Sequence, residues 1–178
     1  MDMFLLRWQI GGFIFTCITG VLLHFLFNWS GGSLLVAPFS AVNESIWEHM
    51  KLLFFPMFAF ALLENRHITE YQNFFCIKLI GIAVGTALIP ILYYTLNGMF
   101  GKLSDWVNIA IFFICAFISY YIENRLFVNN TVNCNSPQTA ICILIAVAFI
   151  FGVTTFFPPK IPLFKDPVTD TYGYYRRL

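Results

Sequence analysis

Long apolar stretches alternate with short polar segments along this chain. Five of these stretches approach the roughly 20 residues that an α-helix needs to cross the hydrocarbon core of a bilayer. The predicted spans run from Trp8 to Asn28, Ser45 to Leu63, Phe74 to Leu96, Trp106 to Ile122, and Ala140 to Phe157. This pattern predicts an all-α, polytopic membrane helix bundle over residues 1–157, followed by a Pro-rich C-terminal tail over residues 158–178.

Composition indicates the same class of protein. Hydrophobic residues make up 59% of the chain and charged residues 11%, whereas a soluble domain carries roughly 25% charged residues. We therefore expect a multi-pass protein of the cell membrane, with the lipid bilayer as its main partner and oligomerisation left open. The net charge of +1 gives no basis for nucleic-acid binding. The five cysteines form no Cys-x-x-Cys pair, so neither a disulfide nor a zinc site is expected from them.

The charges that flank the spans suggest an orientation. We call the side of the N-terminus face A and the opposite side face B. Face A receives Arg7, Arg66 and Arg125, and face B receives Lys102, Lys160, Lys165, Arg176 and Arg177. The first loop on face B, residues 29–44, contains no Lys or Arg and is too short for a sixth crossing. Its lack of positive charge favours face A as the cytoplasmic side.

Ionisable residues are concentrated at the face-B ends of the first two spans. In residues 42–51, helical spacing places Glu44, Glu48 and Lys51 on one stripe, with His49 about 100° away. His24 lies in the same leaflet, near the end of the first span. Ionisable groups at membrane depth are expensive, which favours a functional site. A purely structural alternative is a capping box formed by Ser45 and Glu48, with Lys51 paired to Glu48 or extended to the interface.

The predicted solute-binding residues are those polar groups that fall in the face-B leaflet. They are His24, Glu44, Glu48, His49, Lys51, Tyr94 and Asn108. Two histidines and a carboxylate also form a candidate metal-ligand set, His24, Glu48 and His49. The sequence identifies no catalytic residue, and a divalent metal ion is the candidate cofactor.

An internal repeat relates two predicted hairpins, residues 8–66 and 74–125. Ser45-Ile46-Trp47 corresponds to Ser104-Asp105-Trp106, and Glu64-Asn65-Arg66 corresponds to Glu123-Asn124-Arg125. We expect the two Glu-Asn-Arg triplets to form helix-end caps and ion pairs on face A. In the second copy Val107, Asn108 and Ala110 replace Glu48, His49 and Lys51. A helix can therefore begin there without these three residues, which favours a functional role for them.

Two motifs give the chain a family resemblance. The run from Asn43 to His49, followed by the run from Lys51 to Pro56, resembles an uncharacterised family of small bacterial integral membrane proteins. The tail, with Asp166-Pro167, Thr169 and Tyr172-Gly173, is similar to the same family, although Asp170 stands where the family pattern has glycine. The resemblance covers nearly the whole chain. It implies a bacterial cell membrane and assigns no activity.

Three classes of function fit these features. The first is the binding or transport of a small polar or cationic solute, for which the charged residues would form the site. The second is an intramembrane metal-dependent hydrolase acting on a lipid or amphiphile, with one glutamate as general base. The third is a non-catalytic membrane subunit of a larger complex. The tail is expected either to fold back or to stay mobile, and its aromatic ending, Tyr172 to Tyr175, favours docking.

Overall fold

The computed structural model describes residues 3–68, 73–101 and 103–174. Five α-helices follow one another: α1 (Met3–Trp29), α2 (Ile46–Glu64), α3 (Phe74–Phe100), α4 (Asp105–Asn129) and α5 (Pro137–Phe156). A short 3₁₀ helix (Pro162–Phe164) lies in the tail. Lys102, Tyr175, Arg176 and Arg177 lie outside the described residues.

All five helices are long and apolar enough to cross a bilayer, which confirms the predicted membrane helix bundle. The largest boundary difference is in α4, which the sequence ended at Ile122 and which continues to Asn129. The sequence placed the boundary where apolar residues give way to Glu123. This carboxylate is buried and paired with Lys78, so the helix continues through it.

The first four helices form a ring. Each helix packs against the next one, and α4 packs against α1. α2 also contacts α4, α5 and the 3₁₀ helix, and α5 packs against α3 and α2. α2 is therefore the central helix, and its polar side chains are enclosed by other helices instead of lipid.

Small residues let α1 approach its neighbours closely. A Cβ added to Gly20 would lie 2.8 Å from the carbonyl oxygen of Leu52. That carbonyl lacks its usual helical donor because Pro56, four residues further along α2, has no N–H. A Cβ at Gly12 would likewise lie 2.6 Å from the ring of Tyr120. Close backbone approach of this kind is typical of helix contacts in membranes.

The tail docks on the face-B end of the bundle. Phe164 is buried, and its ring stacks on Trp47 with 4.4 Å between centroids. Asp170 has a φ of +62°, a left-handed conformation that glycine adopts freely and that Asp also tolerates. Its Oδ1 lies 2.5 Å from Nζ of Lys165, and this hydrogen bond and charge raise the pKa of Lys165. The docked tail agrees with the expectation from its aromatic ending.

A disulfide joins Cys76, in the first turn of α3, to Cys134, in the loop before α5. The expectation that the cysteines form no disulfide is therefore wrong. The two residues are 58 positions apart, and no local spacing pattern reveals a pair that only the folding of α3 against α4 brings together. The disulfide lies on face A.

We expect face A to lie outside the cytoplasm. Disulfides persist in oxidising compartments and are rare in the cytosol, which argues against the orientation that the first loop favoured. Of the ten Lys and Arg, five flank the spans on face B and three on face A, while Lys51 and Lys78 are buried. The larger positive charge on face B also favours that side as cytoplasmic.

This orientation can be tested with single cysteines introduced at exposed positions, Arg66→Cys on face A and Lys160→Cys on face B. A membrane-impermeant maleimide is expected to label Arg66→Cys in intact cells and Lys160→Cys only after the membrane is opened. The parent chain measures the background from Cys17, Cys115 and Cys142, which lie within helices. Labelling of Lys160→Cys alone in intact cells would reverse the assignment.

Candidate functional site

A buried ion pair joins Glu48 and Lys51 near the start of α2. Glu48 Oε2 and Lys51 Nζ are 2.6 Å apart, and neither side chain is more than 2% exposed. Residues i and i+3 of a helix lie on one face, so the pairing follows directly from their spacing. Of the two structural alternatives for Lys51, the pairing with Glu48 is observed. The extension to the interface is not, because the charge of Lys51 is neutralised inside the bundle.

The same pair holds the loop between α1 and α2 against the bundle. The Lys51 ammonium donates to the carbonyl oxygen of Ala37 at 3.0 Å and to Oγ1 of Thr155 at 2.8 Å. The backbone N–H of Val42 donates to Glu48 Oε2 at 3.0 Å. All three donors of the ammonium therefore have an acceptor. One ion pair links α2, the first loop and α5.

The start of α2 differs from the predicted capping box. Ser45 Oγ accepts a hydrogen bond from the Glu48 N–H at 3.4 Å, as predicted, but the Glu48 carboxylate is bonded to Lys51. The N–H of Ser45 donates instead to Oδ1 of Asn43 at 2.9 Å. Glu44 consequently precedes the helix. The prediction that Glu44 shares a helical stripe with Glu48 and Lys51 is wrong. The side chain of Glu44 instead approaches His24 and His49.

The tail contacts the loop next to Glu44. Asn43 Nδ2 donates to the carbonyl oxygen of Gly173 at 3.0 Å, and the Tyr174 N–H donates to the carbonyl oxygen of Thr155 at 2.7 Å. Gly173 has a φ of +59°, and a Cβ there would lie 2.6 Å from the Thr155 oxygen. Glycine is the residue that permits this close approach. The docked tail thus helps to fix the backbone on which Glu44 lies.

Glu44 meets two histidines at the solvent-accessible end of the bundle. Its Oε1 lies 3.8 Å from His24 Nε2, and its Oε2 lies 3.6 Å from His49 Nε2. The imidazole centroids are 5.4 Å apart, and one candidate ligand atom from each residue lies within 4.8 Å of the others. We call these three residues the His/Glu cluster. They come from α1, the first loop and α2, so the cluster exists only in the folded bundle.

The hydrogen bond of His49 determines which of its ring nitrogens faces the cluster as an acceptor. Its Nδ1 lies 2.9 Å from the carbonyl oxygen of Ser45, which can only accept, so Nδ1 carries a hydrogen. In the neutral imidazole Nε2 then directs a lone pair at the Glu44 carboxylate, 3.6 Å away. Two acceptors that face each other are bridged by a group that interacts with both, such as a proton, a water molecule or a metal ion. Metal-binding histidines commonly donate their other ring N–H to a carbonyl in this way.

The predicted metal-ligand set needs one correction. Glu44, and not Glu48, completes the group with His24 and His49. Glu48 follows the helix towards Lys51, and its carboxylate is used in the buried ion pair. Sequence spacing placed Glu44 and Glu48 together because it extended the helix to Glu44, two residues before α2 begins at Ile46. Binding by any of these residues stays a prediction.

The two remaining candidates, Tyr94 and Asn108, lie in the face-B portions of α3 and α4. Tyr94 is exposed, and its ring makes an edge contact with Tyr93 at 5.3 Å. Asn108 is half-buried, and its Oδ1 has no hydrogen-bond partner in the described part of the chain. Their participation in binding also stays a prediction.

One charged residue of the bundle was missed by the sequence analysis. Lys78 is buried in α3, and its Nζ lies 2.5 Å from Oε2 of Glu64 and 2.6 Å from Oε2 of Glu123. The two Glu-Asn-Arg triplets do form ion pairs, and Lys78 is their shared partner. The sequence did contain an indication of this pairing. Lys78 lies inside the predicted span from Phe74 to Leu96, near the face-A end where Glu64 and Glu123 also lie.

Removing one partner of the face-B ion pair should destabilise the protein. Lys51→Met leaves the buried Glu48 carboxylate unpaired, which is expected to lower the free energy of unfolding by about 3–5 kcal/mol. The double variant Glu48→Gln/Lys51→Met removes both charges and should be destabilised less than Lys51→Met alone. Unfolding of the detergent-solubilised variants, analysed as a double-mutant cycle, measures this coupling.

An exposed lysine provides the control for that cycle. Lys160→Met in the tail should leave the free energy of unfolding nearly unchanged, since exposed charges contribute little. If the double variant is destabilised by the full sum of its two single variants, Glu48 and Lys51 are not coupled.

Comparison with known proteins identifies a family for the chain but assigns no activity to it. The model of a family of unknown function, DUF6512, matches residues 3–174. The match covers nearly the whole chain and confirms the predicted resemblance to a family without an assigned function. None of the curated proteins and none of the solved structures matches the chain.

Proposed function

The chain belongs to DUF6512, a family of unknown function, and we propose that it binds a divalent transition-metal cation through His24, Glu44 and His49. This is a specific form of the predicted binding or transport of a small polar or cationic solute. One observation carries the proposal. Two imidazole nitrogens and a carboxylate oxygen lie within 4.8 Å of one another.

The chemistry of these groups suits zinc and neighbouring first-row metal ions. Imidazole nitrogen and carboxylate oxygen are common ligands for such ions. In a tetrahedral site with bonds of about 2.1 Å the ligand atoms are about 3.4 Å apart. His24 and His49 lie 3.8 Å and 3.6 Å from different oxygens of Glu44. Taken with one ligand atom per residue, the three groups lie within 4.8 Å of one another, so metal binding requires them to move closer together. His24 also has a buried Nδ1 without a hydrogen-bond partner among the described residues.

The position of the cluster suits reversible capture from water. The Glu44 side chain is 49% exposed, and the two histidines are about half as accessible. Three protein ligands would leave one position of a tetrahedral ion for water or another ligand. The Glu48–Lys51 pair supports this arrangement indirectly, because it fixes the loop that carries Glu44.

A metal-dependent hydrolase has less support from the same geometry. Such an enzyme needs a general base beside the metal-bound water, and the sequence suggested a glutamate for that role. Glu48 is 1% exposed and is bonded to Lys51 and to the N–H of Val42. Cation binding is therefore the function that we favour. The role of a non-catalytic subunit gains no specific support.

Metal binding by the purified protein tests the proposal. The metal-stripped parent chain is expected to bind one Zn²⁺ per chain in isothermal titration calorimetry. His24→Ala, Glu44→Gln and His49→Ala should each weaken binding at least about tenfold. Binding should also weaken as the pH is lowered, because protons compete with the metal for the imidazole nitrogens.

The third histidine of the chain is a matched control. His67 lies on face A, where its ring stacks on Trp8 with 4.8 Å between centroids. His67→Ala should bind Zn²⁺ as the parent does. Parent-like affinity in all three ligand variants, or a loss of affinity in His67→Ala alone, would refute a metal site at the His/Glu cluster.

Translocation is a separate step from binding. If the site serves transport, Zn²⁺ influx into proteoliposomes should depend on the parent chain and fall to background in Glu44→Gln. If the parent chain binds Zn²⁺ but no influx is observed, the chain binds the ion without transporting it.

A further inference from the structure

Four helices bring polar side chains together in the face-A half of the bundle. Glu64 ends α2, Lys78 and Gln9 lie near the starts of α3 and α1, and Glu123 lies in α4. None of the four residues is more than 3% exposed. Gln9 Nε2 donates to Oε1 of Glu64 at 3.1 Å, in addition to the two ion pairs of Lys78. We call these four residues the Lys78 cluster.

The charges of the Lys78 cluster do not balance. Two carboxylates face one ammonium. The other neighbours of that ammonium are aromatic rings at 5.5–5.7 Å, which belong to Phe74, Tyr120 and Phe127. With all three groups ionised, one negative charge would remain in an apolar interior. An uncompensated buried charge is strongly unfavourable.

The neighbouring elements supply no second cation within the described part of the chain. From α4 the phenol of Tyr120 faces the cluster and shares a hydrogen bond of 2.9 Å with Thr16 of α1. The thiol of Cys17 lies on the same side of α1. Neither a phenol nor a thiol can neutralise a carboxylate. Arg66 and Arg125, which follow the two glutamates in sequence, are exposed.

Three buried oxygens of the cluster have no hydrogen-bond partner in the described part of the chain, and one of them, Glu64 Oε2, meets the Lys78 ammonium as an ion pair. Glu123 Oε1 and Gln9 Oε1 are buried, and neither has a partner in the part of the chain that the structure describes. The carboxylate of Glu123 occupies the space above Gly81, where a Cβ would collide with Glu123 Cγ and Oε1. Buried polar atoms are normally hydrogen-bonded, so these oxygens require a donor, which a bound proton or a buried water supplies.

The face-B ion pair shows what a balanced pair looks like in the same bundle. Glu48 and Lys51 are present one to one, and the ammonium has three acceptors. The Glu48 carboxylate also accepts from the Val42 N–H. The charges of that pair balance without an additional proton, so Glu48 serves as a matched control for the glutamates of the Lys78 cluster.

We propose that the Lys78 cluster is a proton-binding site in which Glu64 and Glu123 share one exchangeable proton while Lys78 stays charged. The bound proton brings the cluster from a charge of minus one to zero and supplies the missing O–H donor. Two interacting carboxylates titrate as a pair, so the proton belongs to both. Glu64 is the last residue of α2, and Asn65 after it is half-buried. The proton therefore exchanges with water on face A.

Infrared difference spectroscopy of the protein in lipid tests this proposal. The carbonyl stretch of a protonated carboxylic acid is recorded as the pH is raised from about 4 to about 10. Exposed carboxyl groups lose their protons near the acidic end of that range. The parent chain should retain one carboxylic acid per chain at neutral pH, and this signal should disappear in alkaline solution.

Four variants locate the proton. Glu64→Gln and Glu123→Gln should each abolish the neutral-pH signal, because Lys78 then balances the single remaining carboxylate. Glu48→Gln should retain the signal in full. Lys78→Met leaves two carboxylates without a cation, so its signal should double. If Lys78→Met fails to fold, the three glutamine variants still decide the result.

Two results would overturn the proposal. The first is a parent chain without a carboxylic acid at neutral pH, or with one that persists in both Glu64→Gln and Glu123→Gln. The second is a signal that appears only when Na⁺ is replaced by a larger cation, since the site would then bind a metal cation instead of a proton.

Discussion

The face-B end of the bundle depends on the ion pair between Glu48 and Lys51. Its two charges are enclosed by helices, and they bond the backbone of the first loop and the side chain of Thr155 on α5. A loop that contains no Lys or Arg is held against an apolar bundle by these few polar contacts. The loop in turn carries Glu44 to the two histidines. The solvent-accessible cluster is therefore built on a buried charge pair that does not itself face solvent.

The two ends of the bundle use buried charge differently. On face B one glutamate meets one lysine with every ammonium donor satisfied, which suits a structural role. On face A two glutamates share one lysine, which suits a group that gains and loses a proton. Gln9 and His24 lie on one side of α1, about 22 Å apart along the helix axis. The proposed proton and metal sites are thus connected by a single rigid element.

Local patterns predicted the helices correctly, and they named residues that the structure brings together. Hydropathy placed all five spans, and the polar residues at the face-B ends identified His24, Glu44 and His49 as candidates. Local patterns failed where a partner was distant. The Cys76–Cys134 disulfide and the convergence on Lys78 both join elements far apart in sequence. Neither pairing leaves a spacing signal.

The sequence alone determined the membrane bundle, because twenty apolar residues in a row have few other stable environments. It also identified the polar residues that need a partner or a function, since an ionisable side chain is unfavourable inside a bilayer. Only the tertiary structure decided how they pair. Because α2 begins at Ile46, Glu44 lies outside the helix. The carboxylate of Glu48, which the sequence placed in the metal-ligand set, is paired with Lys51 instead. Helical periodicity within one segment was enough to allow the Glu48–Lys51 pair. The contacts between segments, such as those of Glu44 and Lys78, depend on distances of a few ångströms between helices, which periodicity does not contain.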